Sequence, residues 1–322
     1  MHKAEVQKII AQKLKIPEEE AGVIVDKAEA GQEFFDDASL EIWLNKRFLP
    51  NIVLIDETGY AKMCIDALKI LKSTAATDYG SSRQRDLGQL WGDMTRGYLA
   101  EYALILFLEK NWNIKAELGH EKGDLKDYLP SDIHKIQKNS ESLRDPKIKI
   151  GIKGTKWNGI WFDIPGAQFD HSDVHILVKV GTSRDHLFAY FKHISVFKDK
   201  VLKKGIELGA LNQEEADILF DNLPLFQPIP AYIAGFAIKD KRYKDLDYSG
   251  KKGRKNYNIE SWNGEMKSGD LQRIKEKEGI STNGKVKFEG IGDFSHENGY
   301  LFNVGNLLWK KDDWEKFVIK PL

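Results

Sequence analysis

The sequence contains little cysteine, no long apolar run and no excess of charge of either sign. Its single cysteine, Cys64, excludes an internal disulfide framework and a zinc site built from cysteines, and it indicates a reducing cytoplasm. No segment reaches the roughly 18 consecutive apolar residues that a membrane-spanning helix needs, so we expect no membrane partner. Residues 1–5 also lack the apolar core of a signal peptide.

The balanced charge limits how a nucleic acid could be bound. The 49 basic residues equal the 49 acidic ones, so the field of the whole molecule does not attract a polyanion, and any such binding must come from local clusters of Lys and Arg. Neither Gly-x4-Gly-Lys-Ser/Thr nor Gly-x-Gly-x2-Gly occurs in the sequence. Because these loops cradle phosphates, their absence argues against a nucleotide cofactor.

Hydropathy patterns predict an α+β fold. With 41% hydrophobic and 30% charged residues, the chain of 322 residues is an ordinary globular protein of about two domains. Apolar stripes predict helices over residues 1–72 and one long helix over 93–110. The predicted strands are 148–156, 160–164, 174–180, 186–191 and 228–239. The predicted later helices are 197–208, 212–220 and 309–319, and long loops are predicted over 243–284.

A glutamate interrupts the apolar stripe of the long helix. Glu101 lies between Tyr98 and Ile105, where a carboxylate faces the protein interior or a cleft. One interpretation is an ordinary glutamate at the helix edge that pairs with a lysine. The other is an acid that points toward a metal or a substrate.

Two further residues are candidates for chemistry. Asp132 follows a proline and a serine, where an aspartate is either a turn or capping residue or a metal ligand. Lys153 belongs to the predicted strand 148–156, and because strand side chains alternate, it shares the face of Gly151, opposite the isoleucines. It is either a solvated lysine or a functional one. Together with a helix acid, an Asp and a Lys suit metal-dependent phosphodiester hydrolysis, since carboxylates hold a hard cation and an ammonium stabilises developing charge.

Three short motifs resemble the PD-(D/E)XK nuclease superfamily, and within it the type II restriction endonucleases. The resemblance covers roughly residues 81–195, and its motifs are Gly97-x3-Glu101, Pro130-Ser131-Asp132 and Ile150-Gly151-Ile152-Lys153-Gly154-Thr155-Lys156. It implies a mixed central β-sheet flanked by helices. It also implies Mg²⁺ held by Asp132 and the backbone carbonyl of Ile152, with Lys153 orienting the attacking water and Glu101 holding that water or a second metal.

The sequence departs from the family pattern at Gly151, where the second acid is expected. Three explanations are open: an acid has migrated, position 151 has been changed to disable an enzyme, or the protein binds without cutting. The candidates for a migrated acid are Glu101 and Asp163. Asp163 qualifies because the Asn158-Gly159 turn signal predicts a hairpin that places strand 160–164 beside that of Lys153. It can equally be a polar strand-end residue. Residues 168–173 are predicted as a turn, or as a loop near the predicted β-strand that carries Lys153.

Local basic clusters provide the predicted contacts to double-stranded DNA. Such residues bind phosphates, while Arg and Gln also suit base edges, although each can simply be solvated. The predicted DNA-binding residues are Arg83, Gln84, Arg85, Lys156, Lys241, Arg242, Lys251, Lys252, Arg254 and Lys255. A homodimer is expected, because a palindromic site matches a two-fold axis.

The sequence thus predicts a Mg²⁺-dependent, sequence-specific endodeoxyribonuclease with three regions. These are a helical N-terminal region at 1–80, the nuclease core at 81–205, and a loop-rich region at 206–322 that completes the core and contacts DNA. Three alternatives stay open: a repair or structure-specific nuclease, a catalytically degenerate DNA-binding protein on the same core, and a soluble interaction protein with no nucleic-acid function.

Overall fold

Helices flank mixed β-sheets in this chain, so the α+β class predicted from sequence is confirmed. The computed structural model describes residues 1–71, 86–119, 131–139, 141–239, 245–263, 266, 269–288, 292–293 and 299–322. Within these ranges, no helix has both the length and the apolar character to span a membrane.

Helices and strands are numbered in chain order. The helices α1 to α11 are Lys3–Leu14, Glu18–Ala30, Asp37–Ile42, Glu57–Leu71, Leu87–Trp112, Gly166–His171, Arg184–His193, Lys203–Glu207, Gln213–Asp221, Asp270–Lys277 and Lys311–Trp314. The strands β1 to β12 are Ile52–Ile55, Ile114–Leu118, Ile133–Lys138, Ile150–Thr155, Trp161–Pro165, Val174–Val180, Ile229–Ile238, Asp247–Lys252, Asn256–Asn263, Lys285–Phe288, Gly292–Asp293 and Gly299–Asn303. Single π-helical stretches are Trp43–Phe48, Phe197–Leu202 and Glu315–Ile319.

The central sheet has the strand order β1-β7-β6-β4. β4 is parallel to β6, whereas β6–β7 and β7–β1 are antiparallel. Every residue of β6 and all but the last residue of β7 are buried, as expected of apolar strands covered on both faces. The predicted strands 148–156, 174–180 and 228–239 are therefore confirmed, with their ends shifted by up to two residues.

Different layers cover the two faces of the central sheet. Ile150, Ile176 and Val178 pack on one face against α4 and α5. The close approach of α5 depends on Gly154, where a Cβ atom would lie only 2.9 Å from both the Ala100 Cβ and the Arg96 carbonyl oxygen. The other face packs against the N-terminal helices and the β5–β12 pair. Lys153 projects toward this second layer.

A second sheet, in the order β11-β10-β9-β8, occupies part of the segment 243–284 that was predicted as long loops. That prediction was wrong for β8, β9 and α10. In β9 the buried residues Tyr257, Ile259 and Trp262 are interleaved with exposed polar ones, and the buried residues pack on α10. The high content of Gly, Lys and Asn hides this strand pattern in the sequence.

Two other predicted elements differ from the structure. Residues 186–191 form a helix, α7, and not a strand, because His186, Ala189 and Tyr190 are buried at helical spacing and the Ser183 backbone N–H donates to His186 Nδ1 at 3.0 Å as a cap. His186 therefore lies in a helix, where its ring accepts the capping hydrogen bond, and does not lie on a strand. Within the region predicted as helical, residues 52–55 form β1, the edge strand that pairs with β7.

A buried charged cluster joins the N-terminal helices to the central sheet. The fully buried Glu33 carboxylate accepts hydrogen bonds from Lys179 Nζ at 2.9 Å, Tyr232 Oη at 2.7 Å and Trp43 Nε1 at 2.9 Å, and Arg47 Nε lies 3.7 Å away. Burial by itself would raise the pKa of Glu33, but the charges of Lys179 and Arg47 outweigh it and lower the pKa. The carboxylate is thus the anionic centre of the cluster.

Replacement of Glu33 by Ala is expected to destabilise the fold by about 3–5 kcal/mol, because two buried cations lose their counter-charge. Urea unfolding measures the loss. The matched control is Glu29→Ala, which removes the exposed partner of Lys3 and should cost no more than about 1 kcal/mol. Equal losses in the two variants would contradict the assigned importance of the cluster.

Candidate active site

Asp132 is held against the open edge of β4. Its backbone N–H donates to the Ile150 carbonyl at 2.9 Å, and its Oδ2 accepts a hydrogen bond from the Ile152 backbone N–H at 2.5 Å. Ser131 Oγ accepts from the Ile150 N–H at 3.1 Å and donates to the Ile133 carbonyl at 2.9 Å. These bonds fix the position of the carboxylate relative to the strand that carries Lys153.

The backbone of Ile152 offers a second oxygen at the same edge. In a strand, the N–H and C=O of one residue point to the same side. Because the Ile152 N–H points to Asp132, its carbonyl also projects from the edge on which Asp132 lies. The carbonyl predicted as a metal ligand therefore belongs to the same edge as the predicted carboxylate.

Lys153 lies on the face of β4 that is turned away from α5, where it is half-buried. Burial lowers the pKa of Lys153, while the negative charges of Asp163 and, to a smaller extent, Asp132 oppose that shift. Both predicted acids are thus close enough to act on the ammonium. Such a lysine, partly stripped of water and faced by carboxylates, has a perturbed pKa of the kind that is frequent in functional sites.

A cavity of about 170 Å³ brings these groups together. Helix α6 and the residue after it cover one side. The stretch 168–173 was predicted as a turn or a loop near the site, and its first four residues are instead the end of this short helix. The cavity is lined by Asp132, Gly151, Ile152, Lys153, Gln168, His171, Ser172 and His175. Asp132 and Lys153, two of the three residues on which the sequence prediction depends, therefore share one hollow.

The space beside Gly151, where the family pattern has an acid, is already occupied. A Cβ atom at position 151 would lie 3.0 Å from Ser172 Oγ and 3.1 Å from His175 Nδ1. Both distances are shorter than ordinary van der Waals contacts, so a carboxylate side chain here would have to displace its neighbours. A hydroxyl and an imidazole therefore stand where a second carboxylate would begin.

His175 is a buried, neutral imidazole. Burial lowers its pKa to about 4, an effect that backbone hydrogen bonds at Phe169 and Ser172 oppose and the charges of Lys153 and Lys239 increase. Its Nε2 lies 3.2 Å from the Phe169 carbonyl oxygen. Because a carbonyl only accepts, this contact favours the tautomer with the proton on Nε2, in which Nδ1 of the neutral ring is the acceptor nitrogen.

Glu101 approaches the edge of β4 from the side of α5. Burial first, then the negative charges of Glu101, Asp66 and Asp132, raise the pKa of Tyr98 to about 12. Glu101 and Asp132 thus both act on the Tyr98 hydroxyl. Among the described residues that line the cavity, however, Glu101 is not included. It lies near the site without sharing the hollow of Lys153.

Asp163 reaches the site by a different route from the predicted one. The hairpin across Asn158-Gly159 was wrong as a pairing, since β5 pairs with β12 and Asp163 is opposite Leu301. Nevertheless its carboxylate exerts the larger of the two opposing electrostatic effects on Lys153. Asp163, the candidate for a migrated acid, therefore comes from the layer that covers the sheet and not from a strand next to β4.

The predicted DNA-binding residues are only partly described. Arg83, Gln84, Arg85, Lys241 and Arg242 lie outside the described residues. Lys156 follows β4 and lines a neighbouring groove of about 380 Å³ together with Arg96 and Arg184. Lys251 and Lys252 lie on β8, where Lys251 Nζ is 2.8 Å from Glu260 Oε1 and Lys252 Nζ donates to the Gly279 carbonyl at 2.8 Å.

Arg254 and Lys255 lie in the exposed turn that joins β8 to β9. The predicted basic loop is therefore, in its described part, a β-hairpin with its cations along one strand and the turn. Its two turn residues are the more accessible candidates for phosphate contacts.

The donor atoms of the cavity fit a hydrated divalent cation. Mg²⁺ takes oxygen ligands, keeps several waters, and is bound by one or two carboxylates. The Asp132 carboxylate and the Ile152 carbonyl supply that minimum, and about 170 Å³ leaves room for water. The described part of the chain holds no cluster of three or more His, Cys, Asp or Glu side chains arranged as a metal site. An ion here would therefore be bound by fewer than three such side chains, and backbone, water or substrate oxygens would complete its coordination.

His175 and Ser172 are site residues that the sequence prediction missed. The signal was a histidine inside the strand 174–180, whose only other polar residue is Lys179. Its relation to Gly151 depends on the β4–β6 register, in which Gly151 pairs with His175. No pattern within one strand reveals that register.

Comparisons with family models, with curated proteins and with solved structures found no match to this chain. The geometry of the cavity is therefore the basis on which a function is proposed.

The buried His175 predicts a specific loss of stability in acid. Its pKa is about 4 when folded against an ordinary 6.5, so the unfolded chain takes up a proton first as the pH falls. The contribution is complete above pH 6.5 and is lost between pH 6.5 and 4, by on the order of 3 kcal/mol.

Urea unfolding in EDTA at several pH values between 7.5 and 4 measures this effect. The variant His175→Gln should lose less stability than the wild type over that range, whereas His134→Gln, at an exposed position, should lose as much as the wild type. Identical pH profiles for wild type and His175→Gln would contradict the assignment of a buried neutral ring.

Proposed function

We propose that the protein is a metal-dependent endodeoxyribonuclease, similar to type II restriction endonucleases, that hydrolyses phosphodiester bonds of double-stranded DNA. The observation that supports this best is the convergence of Asp132, the Ile152 backbone and the half-buried Lys153 on one cavity. Mg²⁺ is the proposed cofactor. When bound, it neutralises phosphate charge and lowers the pKa of a water molecule.

The residues of the cavity have distinct proposed roles. Asp132 and the Ile152 carbonyl hold the cation, and the hydrogen bond from the Ile152 N–H keeps the carboxylate in place. Lys153 orients the attacking water and stabilises charge that develops on the phosphate. Asp163 keeps an opposite charge close to the lysine, and Glu101 is the further acid at the edge of β4.

The finer parts of the proposal concern the substrate and the assembly. Sequence-specific cleavage by a homodimer follows from the resemblance in the motifs, and a cytoplasmic location is proposed from the single cysteine, Cys64. The groove at Lys156 and the β8–β9 turn provide cations outside the cavity that can neutralise backbone phosphates. Contacts of this kind set the position of the duplex, whereas base contacts determine sequence.

The variants Lys153→Met and Asp132→Asn should each reduce cleavage of duplex DNA in Mg²⁺ by roughly 10²- to 10³-fold or more, since each removes a preorganised charge. Gel analysis of phage DNA measures the rate and also reveals discrete bands if the enzyme is sequence-specific. The matched control is Lys149→Met, an exposed lysine directly before β4, which should retain the wild-type rate within a few-fold.

Two results would count against this assignment. One is cleavage that survives Lys153→Met and Asp132→Asn in folded protein. The other is wild-type protein that cleaves no duplex in Mg²⁺ or Mn²⁺, over a wide range of DNA sequences.

A catalytically degenerate DNA-binding protein on the same core is the second candidate. The crowded space beside Gly151 favours it, because a Cβ atom at this position would lie only 3.0 Å from Ser172 Oγ and 3.1 Å from His175 Nδ1. This candidate predicts duplex binding without hydrolysis, even when Gly151 is replaced by Glu. Both candidates require DNA binding.

Replacement of Arg254 and Lys255 by Ala should weaken duplex binding and lower the slope of log K against log salt by about 1 for each lost phosphate contact. Fluorescence anisotropy in EDTA at several salt concentrations gives the slope. Lys13→Ala is the control, because Lys13 lies beside β1, at the sheet edge opposite β4. An unchanged slope in the double variant would remove the β8–β9 turn from the DNA interface.

A further inference from the structure

Two polar atoms lie where the missing acid would begin. Ser172 Oγ is 3.0 Å and His175 Nδ1 is 3.1 Å from the ideal Cβ position of Gly151. The β4–β6 register places His175 directly beside Gly151, one strand further from Asp132. The same cavity is lined by Asp132, Gly151, Ser172 and His175.

The bonding of His175 has the pattern of a metal-binding histidine. Its Nε2 is anchored on the Phe169 carbonyl at 3.2 Å, and its ring stacks on that of Phe169 with 5.0 Å between centroids. Metal-binding histidines usually donate their other ring N–H to a carboxylate or a backbone carbonyl, which fixes tautomer and orientation. With Nε2 used in this way, Nδ1 is the nitrogen on the side of Gly151.

We propose that His175 Nδ1, with Ser172 Oγ beside it, takes the place of the carboxylate that Gly151 lacks, so that the cavity binds a divalent transition cation such as Mn²⁺ through mixed nitrogen and oxygen ligands. The inference rests on the proposed metal-dependent function, and it names the cation class of that site. The other ligands are the Asp132 carboxylate and the Ile152 carbonyl.

The exchange of a carboxylate for an imidazole changes which cation is preferred. Mg²⁺ favours oxygen ligands and negative charge, whereas imidazole nitrogen suits transition metals. The site should therefore bind Mn²⁺ more tightly than Mg²⁺, by at least about tenfold.

Pulsed electron paramagnetic resonance of the Mn²⁺-loaded full-length protein tests the inference directly, because it detects ¹⁴N coupling from a coordinated imidazole. Coupling is expected in the wild type and should disappear in His175→Gln, whose side chain keeps hydrogen-bonding capacity. The matched control is His171→Gln, at the other histidine that lines the cavity, and it should retain the coupling.

A second variant protects the test against misfolding of His175→Gln. Gly151→Ala leaves His175 in place, but its Cβ would lie 3.1 Å from Nδ1 and would push the ring aside. It should weaken both the ¹⁴N coupling and the affinity for Mn²⁺. Circular dichroism of each variant verifies the fold.

The outcomes separate this inference from the function on which it rests. Mn²⁺ that binds through Asp132 without ¹⁴N coupling, or with coupling lost in His171→Gln instead, overturns the histidine ligand and leaves the nuclease proposal in place. Mn²⁺ binding that is absent, or unchanged in Asp132→Asn, overturns the metal site altogether. Coupling that depends on His175 and binding that depends on Asp132 support both.

Discussion

An ammonium group withdrawn from water requires negative charge or hydrogen-bonding groups nearby, and Lys153 imposes this requirement on the site. Burial lowers its pKa, and the carboxylates of Asp163 and Asp132 act against that shift from two different layers of the structure. Asp132 comes from the segment along the edge of β4, and Asp163 comes from the β5–β12 pair that covers the sheet. The position of this lysine therefore links the sheet edge, the covering layer and the cavity between them.

Glycine has opposite consequences at two positions of β4. On the face of α5, Gly154 lets the helix approach the sheet closely, and this helix carries Glu101, which acts on the Tyr98 hydroxyl together with Asp132. On the other face, Gly151 leaves room that Ser172 and His175 fill. Two glycines of one strand thus let the helix that carries Glu101 come close and leave the motif without its usual acid. This arrangement explains why the predicted motif has Asp132 and Lys153 but lacks an acid at position 151.

Local patterns predicted those parts of the fold that depend on local physics. The apolar run of β6 and the long helix α5 were predicted, although α5 extends from Leu87 to Trp112, beyond the predicted 93–110. Long-range pairing could not be predicted: β5 joins β12, more than a hundred residues later, despite the Asn158-Gly159 turn signal. The aromatic residues of α7 favour strands, and for this reason the helix was not predicted. Its N-terminal cap and the helical spacing of its buried residues stabilise the helix instead. For the site, sequence identified Asp132, Lys153 and Asp163, but the place of His175 depends on an inter-strand register.

Iron-directed cleavage of the polypeptide tests the central claim most directly. Fe²⁺ bound in the proposed site generates hydroxyl radicals with ascorbate and peroxide, and these cut the backbone within a few ångströms of the ion. The account predicts clusters of cuts around residues 131–133 and 150–153, and a third around 172–175 where His175 binds the ion, all suppressed by excess Mg²⁺ or Mn²⁺ and absent in Asp132→Asn. Cuts confined to other segments, or a pattern that Asp132→Asn leaves unchanged, would contradict a metal ion between Asp132 and the strand of Lys153.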